Sequence, residues 1–225
     1  MAEIGLFEAI HSARALRRYR PDPIPDEVMT KILDAAIRAP SGSNQQNWIF
    51  MVVRDSAKKQ KIADIYRRGG EILMQLYANR ERPAHVDEKQ YNAMLNSATY
   101  LIGHMHEAPV LLFACLRQER AAAMPNLPPD IAKRAREMGR ASGSSIYPAV
   151  QNIILACRAF GLGTVITTNH IRLEDEVKAV LGLPENVSTY ALMPIGYPEG
   201  KFGPLSRRPV AEVAYLDRWG TAWAQ

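Results

Sequence analysis

Three features of the 225-residue sequence predict an α+β architecture. Apolar residues recur at helical spacing in several segments, short apolar or β-branched runs separate them, and the two kinds do not alternate strictly. Strict alternation would predict a doubly wound parallel sheet instead. Hydrophobic residues make up 47% and charged residues 23%, an ordinary balance for a folded chain, and the length suits one domain over 1–225.

Taken in order, Pro21, Pro23 and Pro25 mark an extended link. Asp26-Glu27 then place negative charge at a helix start, where the dipole favours it. Val28, Ile32, Ala35, Ala36 and Ala39 follow at helical spacing until Pro40 stops the run. Ile49 to Val53 reads as a short buried strand, and Asp55-Ser56 opens a helix expected to reach Tyr66. From Arg67 to about Ala108 the chain is charged, Met-rich and weakly periodic, so 67–108 is expected to form a lid or peripheral helices.

Val110 to Leu116 is a second buried strand. Met124 to Pro129 reads as a loop, followed by a basic helix through about Arg140. The clearest helix carries Val150, Ile153, Ile154 and Cys157 on one face, with Pro148 in its first turn and Gly161-Leu162-Gly163 ending it. Thr164 to Thr168 is β-branched and predicts a strand, Leu173 to Leu181 a helix, and Ser188 to Ile195 the last strand. An irregular stretch leads into a C-terminal extension at 197–225, and no internal repeat is visible.

Composition excludes several classes. No apolar run approaches the roughly 20 residues that span a bilayer, so no membrane partner is expected. The first residues, Met1 to Gly5, lack the basic-then-apolar layout of a secretory signal, and the expected location is the cytoplasm. Cys115 and Cys157 each lie in an apolar segment and read as small buried hydrophobes, not as a disulfide or metal ligands. The net charge of +5 is scattered apart from one cluster, with no aromatic interleaving, so no nucleic-acid partner is expected. His104 and His106 lack further ligands at useful spacing and read as helix-face residues, so no metal is expected.

Two segments point to a ligand. Between the first long helix and the first strand runs Ala39-Pro40-Ser41-Gly42-Ser43-Asn44-Gln45-Gln46-Asn47-Trp48, with more amides and hydroxyls than a turn requires. Amides offer donor and acceptor on one side chain, which suits the edge of a planar heterocycle such as a flavin. Upstream, Arg14, Arg17, Arg18 and Arg20 crowd seven positions, and arginine's planar, permanently charged fork suits phosphate. Alone, the arginines read as a solvated helix face and the serines as turn residues. Together they predict a phosphorylated aromatic cofactor.

Four motifs in order carry a resemblance: Arg14-Ala15-Leu16-Arg17-Arg18-Tyr19, the amide loop, Gly161-Leu162-Gly163-Thr164, and Pro194-Ile195-Gly196-Tyr197-Pro198 with Arg207-Arg208-Pro209. The chain resembles the FMN-dependent nitroreductase family from about Leu6 to Val213. That resemblance implies a nitroreductase-like fold, with a mainly antiparallel sheet flanked by helices, and a homodimer holding FMN between subunits. It also implies alternating oxidation of NAD(P)H and reduction of a second substrate.

By the same resemblance, Arg14 and Arg17 match two basic positions, one toward the flavin phosphate and one toward the N1/C2-carbonyl edge. Ala13 and Ala15 replace a family arginine and hydroxyl, which leaves the Ala15 backbone as a contact. Arg207 matches the distal phosphate-binding base. Pro40, Ser41 and Asn44 match the flavin-edge loop with Gln46 as a neighbour, and Asn47 stands where proline is usual. Thr167 and Thr168 resemble the branch that includes iodotyrosine deiodinase, where this region approaches flavin N5.

The flavin would do the redox chemistry while the protein binds and tunes it. Arg17 beside N1 would stabilise negative charge on the reduced ring, and no catalytic side chain is nominated. The leading expectation is ping-pong electron transfer from NAD(P)H to a nitroaromatic, quinone or similar acceptor. Reductive dehalogenation is the alternative; Glu71, Tyr77 and Lys89 supply the deiodinase lid's residue types but not its spacing. A non-enzymatic phosphate- or nucleic-acid-binding module is a third reading, and it leaves the amide loop without a role.

Overall fold

A computed structural model describes residues 4–78, 80–118, 141 and 143–223. The expected loop at Met124–Pro129 and the helix through Arg140 lie outside these residues. Helix α1 spans Leu6–Ser12 and α2 Asp26–Ala36, followed by β1 at Trp48–Val53. Helices α3 (Ser56–Ala78) and α4 (Glu88–His104) precede β2 at Val110–Arg117. Then come α5 (Tyr147–Ala159), β3 (Gly163–Thr164), α6 (Glu174–Leu181) and β4 (Val187–Gly196).

The four strands form one antiparallel sheet in the order β1-β2-β4-β3, and helices cover both faces. This is the expected α+β class. Central β2 is buried on both faces from Val110 to Leu116, which explains its continuous apolar sequence. Leu112 and Ala114 pack toward α2 and α5, and Leu111 and Phe113 toward α3 and α4. A bulge interrupts the register of β2 and β4 where Ala114 pairs with Ala191 and Cys115 with Thr189. The Glu174 carboxylate accepts hydrogen bonds from the neighbouring Thr189 N–H and from its hydroxyl at 2.8 Å, tying the start of α6 to that irregular strand.

Several boundaries differ from expectation. Helix α3 continues twelve residues past Tyr66, to Ala78, through Gly69 and Gly70. A Cβ on Gly69 would lie 2.5 Å from the Asn169 carbonyl oxygen, and one on Gly70 would lie 2.8 Å from the Ile102 side chain. The glycine pair therefore permits close packing rather than ending the helix. Helix α1, unforeseen, is capped at its end by the Ala13 N–H donating to the Ala9 carbonyl. The strand expected over Thr164–Thr168 ends at Thr164; Thr167 then makes one isolated bridge to Leu192.

Caps follow the sequence closely elsewhere. Asp55 accepts from the Lys58 N–H at 2.8 Å and Asp87 from the Gln90 N–H at 2.7 Å, fixing the starts of α3 and α4. Gly161 (φ +71°) ends α5 and Gly182 (φ +68°) ends α6 in left-handed geometry. No helix among the described residues is long and apolar enough to cross a membrane.

Candidate active site

A cavity of about 220 Å³ opens between α3, α4 and the segment after β3. Arg17, Thr167 and Thr168 line it together, although 150 residues separate the first two in sequence. The fold explains the meeting. Ala15 bridges Thr164 in parallel, with the Leu16 N–H donating to the Thr164 carbonyl at 3.2 Å, so the arginine segment runs along β3. Thr167 exchanges 2.9 Å backbone hydrogen bonds with Leu192, which holds the next turn against β4.

The Arg17 guanidinium is half-buried and donates to the Ser97 hydroxyl at 3.2 Å, with no carboxylate among its described partners. Burial pulls its pKa down, yet a guanidinium stays charged, so positive charge is held at the cavity wall. Its neighbours have other employment: Arg18 lies 3.5 Å above the Tyr100 ring, and Arg20 pairs with Asp22 at 3.1 Å. Buried Tyr66 lines the same wall; burial raises its phenol pKa, and hydrogen bonding to Thr167 and Asn169 opposes that rise. The Thr167 hydroxyl is sheltered from solvent.

Arg14 and Arg207 are exposed and do not line this cavity. The Arg14 guanidinium sits beside Gly203, and the same C-terminal strap returns to α1 through the Leu205 N–H and the His11 carbonyl, 3.2 Å apart. Exposed Arg207 donates to the Ser206 carbonyl at 2.7 Å. Neither guanidinium faces a carboxylate among the described residues. Arg158, which the sequence reading missed, organises the strap. It donates to Ser12 Oγ at 2.8 Å and to Glu8 at 3.2 Å, and it lies 4.3 Å above the Phe202 ring.

The amide loop occupies a different corner. Pro40, Asn44 and Gln46 are exposed and Ser41 is half-buried. Ser43, Asn44 and Gln46 adopt φ of +50°, +52° and +51°, left-handed geometry that non-glycine residues rarely adopt. Ser41 Oγ accepts from the Gln46 N–H at 3.0 Å, and the Gln46 amide donates to Asn44 at 3.1 Å, which locks the turn. Asn47 extends the sheet: its carbonyl accepts from the Arg117 N–H at 2.8 Å and its amide donates to the Arg117 carbonyl at 3.0 Å.

One chain does not bring the loop to the arginines. The Gly42 N–H donates to Ser145 Oγ just before α5, whereas Ala15 meets Thr164 just beyond the other end of that helix. Thirteen residues of helix make this separation roughly 20 Å. The sheet agrees, since Trp48 pairs across β2 toward Ser188 and Thr164 pairs with Ile195, seven residues or about 23 Å along β4.

The opposite cavity wall was only partly foreseen. Tyr77 was named only for its residue type in a deiodinase-like lid and the methionines only as part of the Met-rich stretch 67–108; Leu73, Leu95 and Ala98 went unnoticed. Glu71 instead faces Arg67 at 3.4 Å, and neither Glu71 nor Lys89 lines the cavity. His104 pairs with Glu107 at 2.7 Å and stacks on Tyr100, and no metal-ligating cluster occurs among the described residues.

The fold and this cavity, with its uncompensated guanidinium, agree with a flavin-dependent oxidoreductase. Residues 10–197 match the nitroreductase family. A Thermus thermophilus protein named NADH dehydrogenase is 32% identical over 89% of this chain and 90% of its own length. The iodotyrosine deiodinase of Thermotoga neapolitana is 26% identical over 86% of this chain and 89% of its own. An iodotyrosine deiodinase structure bound to FMN and 3-iodo-L-tyrosine superposes with TM-score 0.68, at 24% identity, over 96% of this chain and 100% of the other. The chain belongs to the nitroreductase family.

Proposed function

We propose that this protein is an FMN-dependent oxidoreductase that carries electrons from NAD(P)H to a nitroaromatic, quinone or similar conjugated acceptor in alternating half-reactions. The observation that carries the reading is Arg17: a half-buried cation at a cavity wall, held by one serine and facing no carboxylate among the described residues. Such a group favours an anionic or electron-rich partner at that wall. FMN, when bound, supplies reversible hydride and electron storage. Arg17 would meet the edge that gains negative charge, and the sheltered Thr167 hydroxyl and Thr168 would complete that wall. Arg14, the Ala15 backbone and Arg207 would hold the phosphate end.

The loop of Pro40, Ser41, Asn44 and Gln46 enters this account from a second copy of the chain. Its exposure, its locked left-handed turn and its distance from Ala15 all support a site shared between the subunits of a homodimer. The distal half of α3 together with α4, within 67–108, acts as a lid over the acceptor.

A visible absorbance spectrum of the purified protein tests cofactor binding, and anaerobic reduction by NADH and by NADPH tests the donor. A protein that stays colourless after FMN addition would end the reading. Reductive dehalogenation is the second reading, favoured by the likeness to iodotyrosine deiodinases and by the threonines at the cavity wall. It ranks lower because, of the residues nominated for an amino-acid grip, only Tyr77 reaches the cavity. Halotyrosine turnover with dithionite, set against nitroaromatic turnover with NADPH, separates the two.

A further inference from the structure

We infer that Ser97, on helix α4, is a positioning residue for the cofactor: its hydroxyl holds the Arg17 guanidinium in the orientation that meets the flavin edge. The inference rests on the reading of Arg17 as the flavin-edge cation and extends it to a second element, the lid helix.

The backbone around Arg17 is anchored on both sides. The Leu16 N–H donates to the Thr164 carbonyl at 3.2 Å and the Arg20 N–H to the Tyr197 carbonyl at 2.8 Å. Between them the buried Tyr19 hydroxyl donates to the Pro194 carbonyl at 3.2 Å. These contacts fix where the side chain starts but not where its tip lies, and arginine has many rotamers to lose. The tip is held by Ser97 Oγ, which accepts from Arg17 Nη1 at 3.2 Å. One turn further along α4, Arg18 lies 3.5 Å above the Tyr100 ring, and the Tyr100 hydroxyl donates to Glu107 at 3.1 Å. Ser97 and Tyr100 share a helix face, so two consecutive arginines grip one side of α4 and seat Ser97 beside Arg17. A guanidinium has five N–H donors and Ser97 takes one, which leaves donors for the flavin edge. The serine therefore does not compete with the cofactor; it lowers the cost of ordering Arg17 when the cofactor binds. A neutral hydroxyl also leaves the positive charge intact, whereas a carboxylate would offset the charge that a reduced flavin ring needs.

Titration of apoprotein with FMN, followed by flavin fluorescence, and the midpoint potential of the loaded protein test this without turnover. Alanine is a better helix former than serine, so α4 should keep its structure in Ser97→Ala. That variant should bind oxidised FMN about 2- to 12-fold more weakly, the cost of ordering one long side chain. Reduced FMN, which gains more from the guanidinium, should lose about threefold more, a fall of about 14 mV in the two-electron midpoint potential. Ser97→Thr keeps the hydroxyl and should bring both quantities back to within about twofold of wild type. In an Arg17→Met background, Ser97→Ala should change neither, because the two residues act as one unit. Unchanged affinity and potential in Ser97→Ala, a loss that Ser97→Thr fails to restore, or an equal loss with and without Arg17 would overturn the inference. A wild-type protein that binds no FMN removes the flavin reading and this inference with it. Wild-type FMN binding beside an unaffected Ser97→Ala variant removes the inference alone.

Discussion

Replacing Arg17 with methionine should move stability and cofactor affinity in opposite directions. The guanidinium is half-buried, and its described hydrogen-bond partner is the Ser97 hydroxyl at 3.2 Å. Burial already pulls its pKa down, a sign that the charge is held at a cost to the protein without its cofactor. Methionine keeps the unbranched stem and removes the charge, so the apoprotein should stay within about 1 kcal/mol of wild type, with a gain the expected sign. A charge-assisted hydrogen bond to the flavin edge is worth about 1.5–3 kcal/mol, so FMN should bind about 10- to 150-fold more weakly. Urea denaturation of apoprotein gives the first quantity and quenching of flavin fluorescence the second. Loss of more than about 2 kcal/mol of apoprotein stability with unchanged FMN affinity would refute the reasoning, since Arg17 would then be a structural residue.

Other predictions follow from packing and titration. Gly69→Ala should destabilise by about 1–3 kcal/mol despite alanine's better helix propensity, because its Cβ meets backbone at the Asn169 carbonyl; Gly70→Ala, which meets the movable Ile102 side chain, should cost less. The melting temperatures of the two variants check that order. His170 is fully buried against Phe113, and burial pushes its pKa down to about 4 from an ordinary 6.5. The unfolded chain therefore takes up the proton first on acidification. Stability linked to His170 is complete above about pH 6.5 and declines by about 3 kcal/mol by pH 4. Urea unfolding of wild type and His170→Phe at pH 7 and pH 4 should show that difference only in the wild type. Arg158→Leu should free the strap around α1 and weaken FMN binding through Arg14 and Arg207; unchanged binding would detach the strap from the site.

Central parts of the fold were legible because their burial leaves a mark in the sequence. Strand β2 is apolar throughout because both faces are covered, and α5 shows one apolar stripe because one face is covered. The extent of α3 was not legible. Gly69-Gly70 looks like a break until the Asn169 carbonyl and Ile102 are placed against it, and those contacts come from distant segments. Seven-residue α1 is too short to establish a period and depends on packing against α5.

The site divides in the same way. The arginines and amides were visible as residue types beyond what a surface turn needs, and Arg17 and Thr167 do share a wall. Which arginines keep an uncompensated charge was not visible, since Arg18 over Tyr100 and Arg20 with Asp22 look no different in sequence. The far wall had a readable signal that went unused. Tyr66, Leu73 and Tyr77 recur at spacings of seven and four, and Leu95, Ala98 and Ile102 at three and four, so each set lies along one helix face. The separation of the amide loop from the arginines depends on sheet order, which no local pattern encodes.

Subunit complementation tests the shared site most directly. One chain carries Arg17→Met and the other carries Asn44→Ala with Gln46→Ala, each with its own affinity tag. If the loop serves the arginines of its partner, a purified heterodimer places both defects in one site and leaves the other intact. It should regain wild-type FMN affinity at half the wild-type flavin content, while each parent homodimer binds weakly. A heterodimer whose every site binds as poorly as the parents would contradict a site built from two chains.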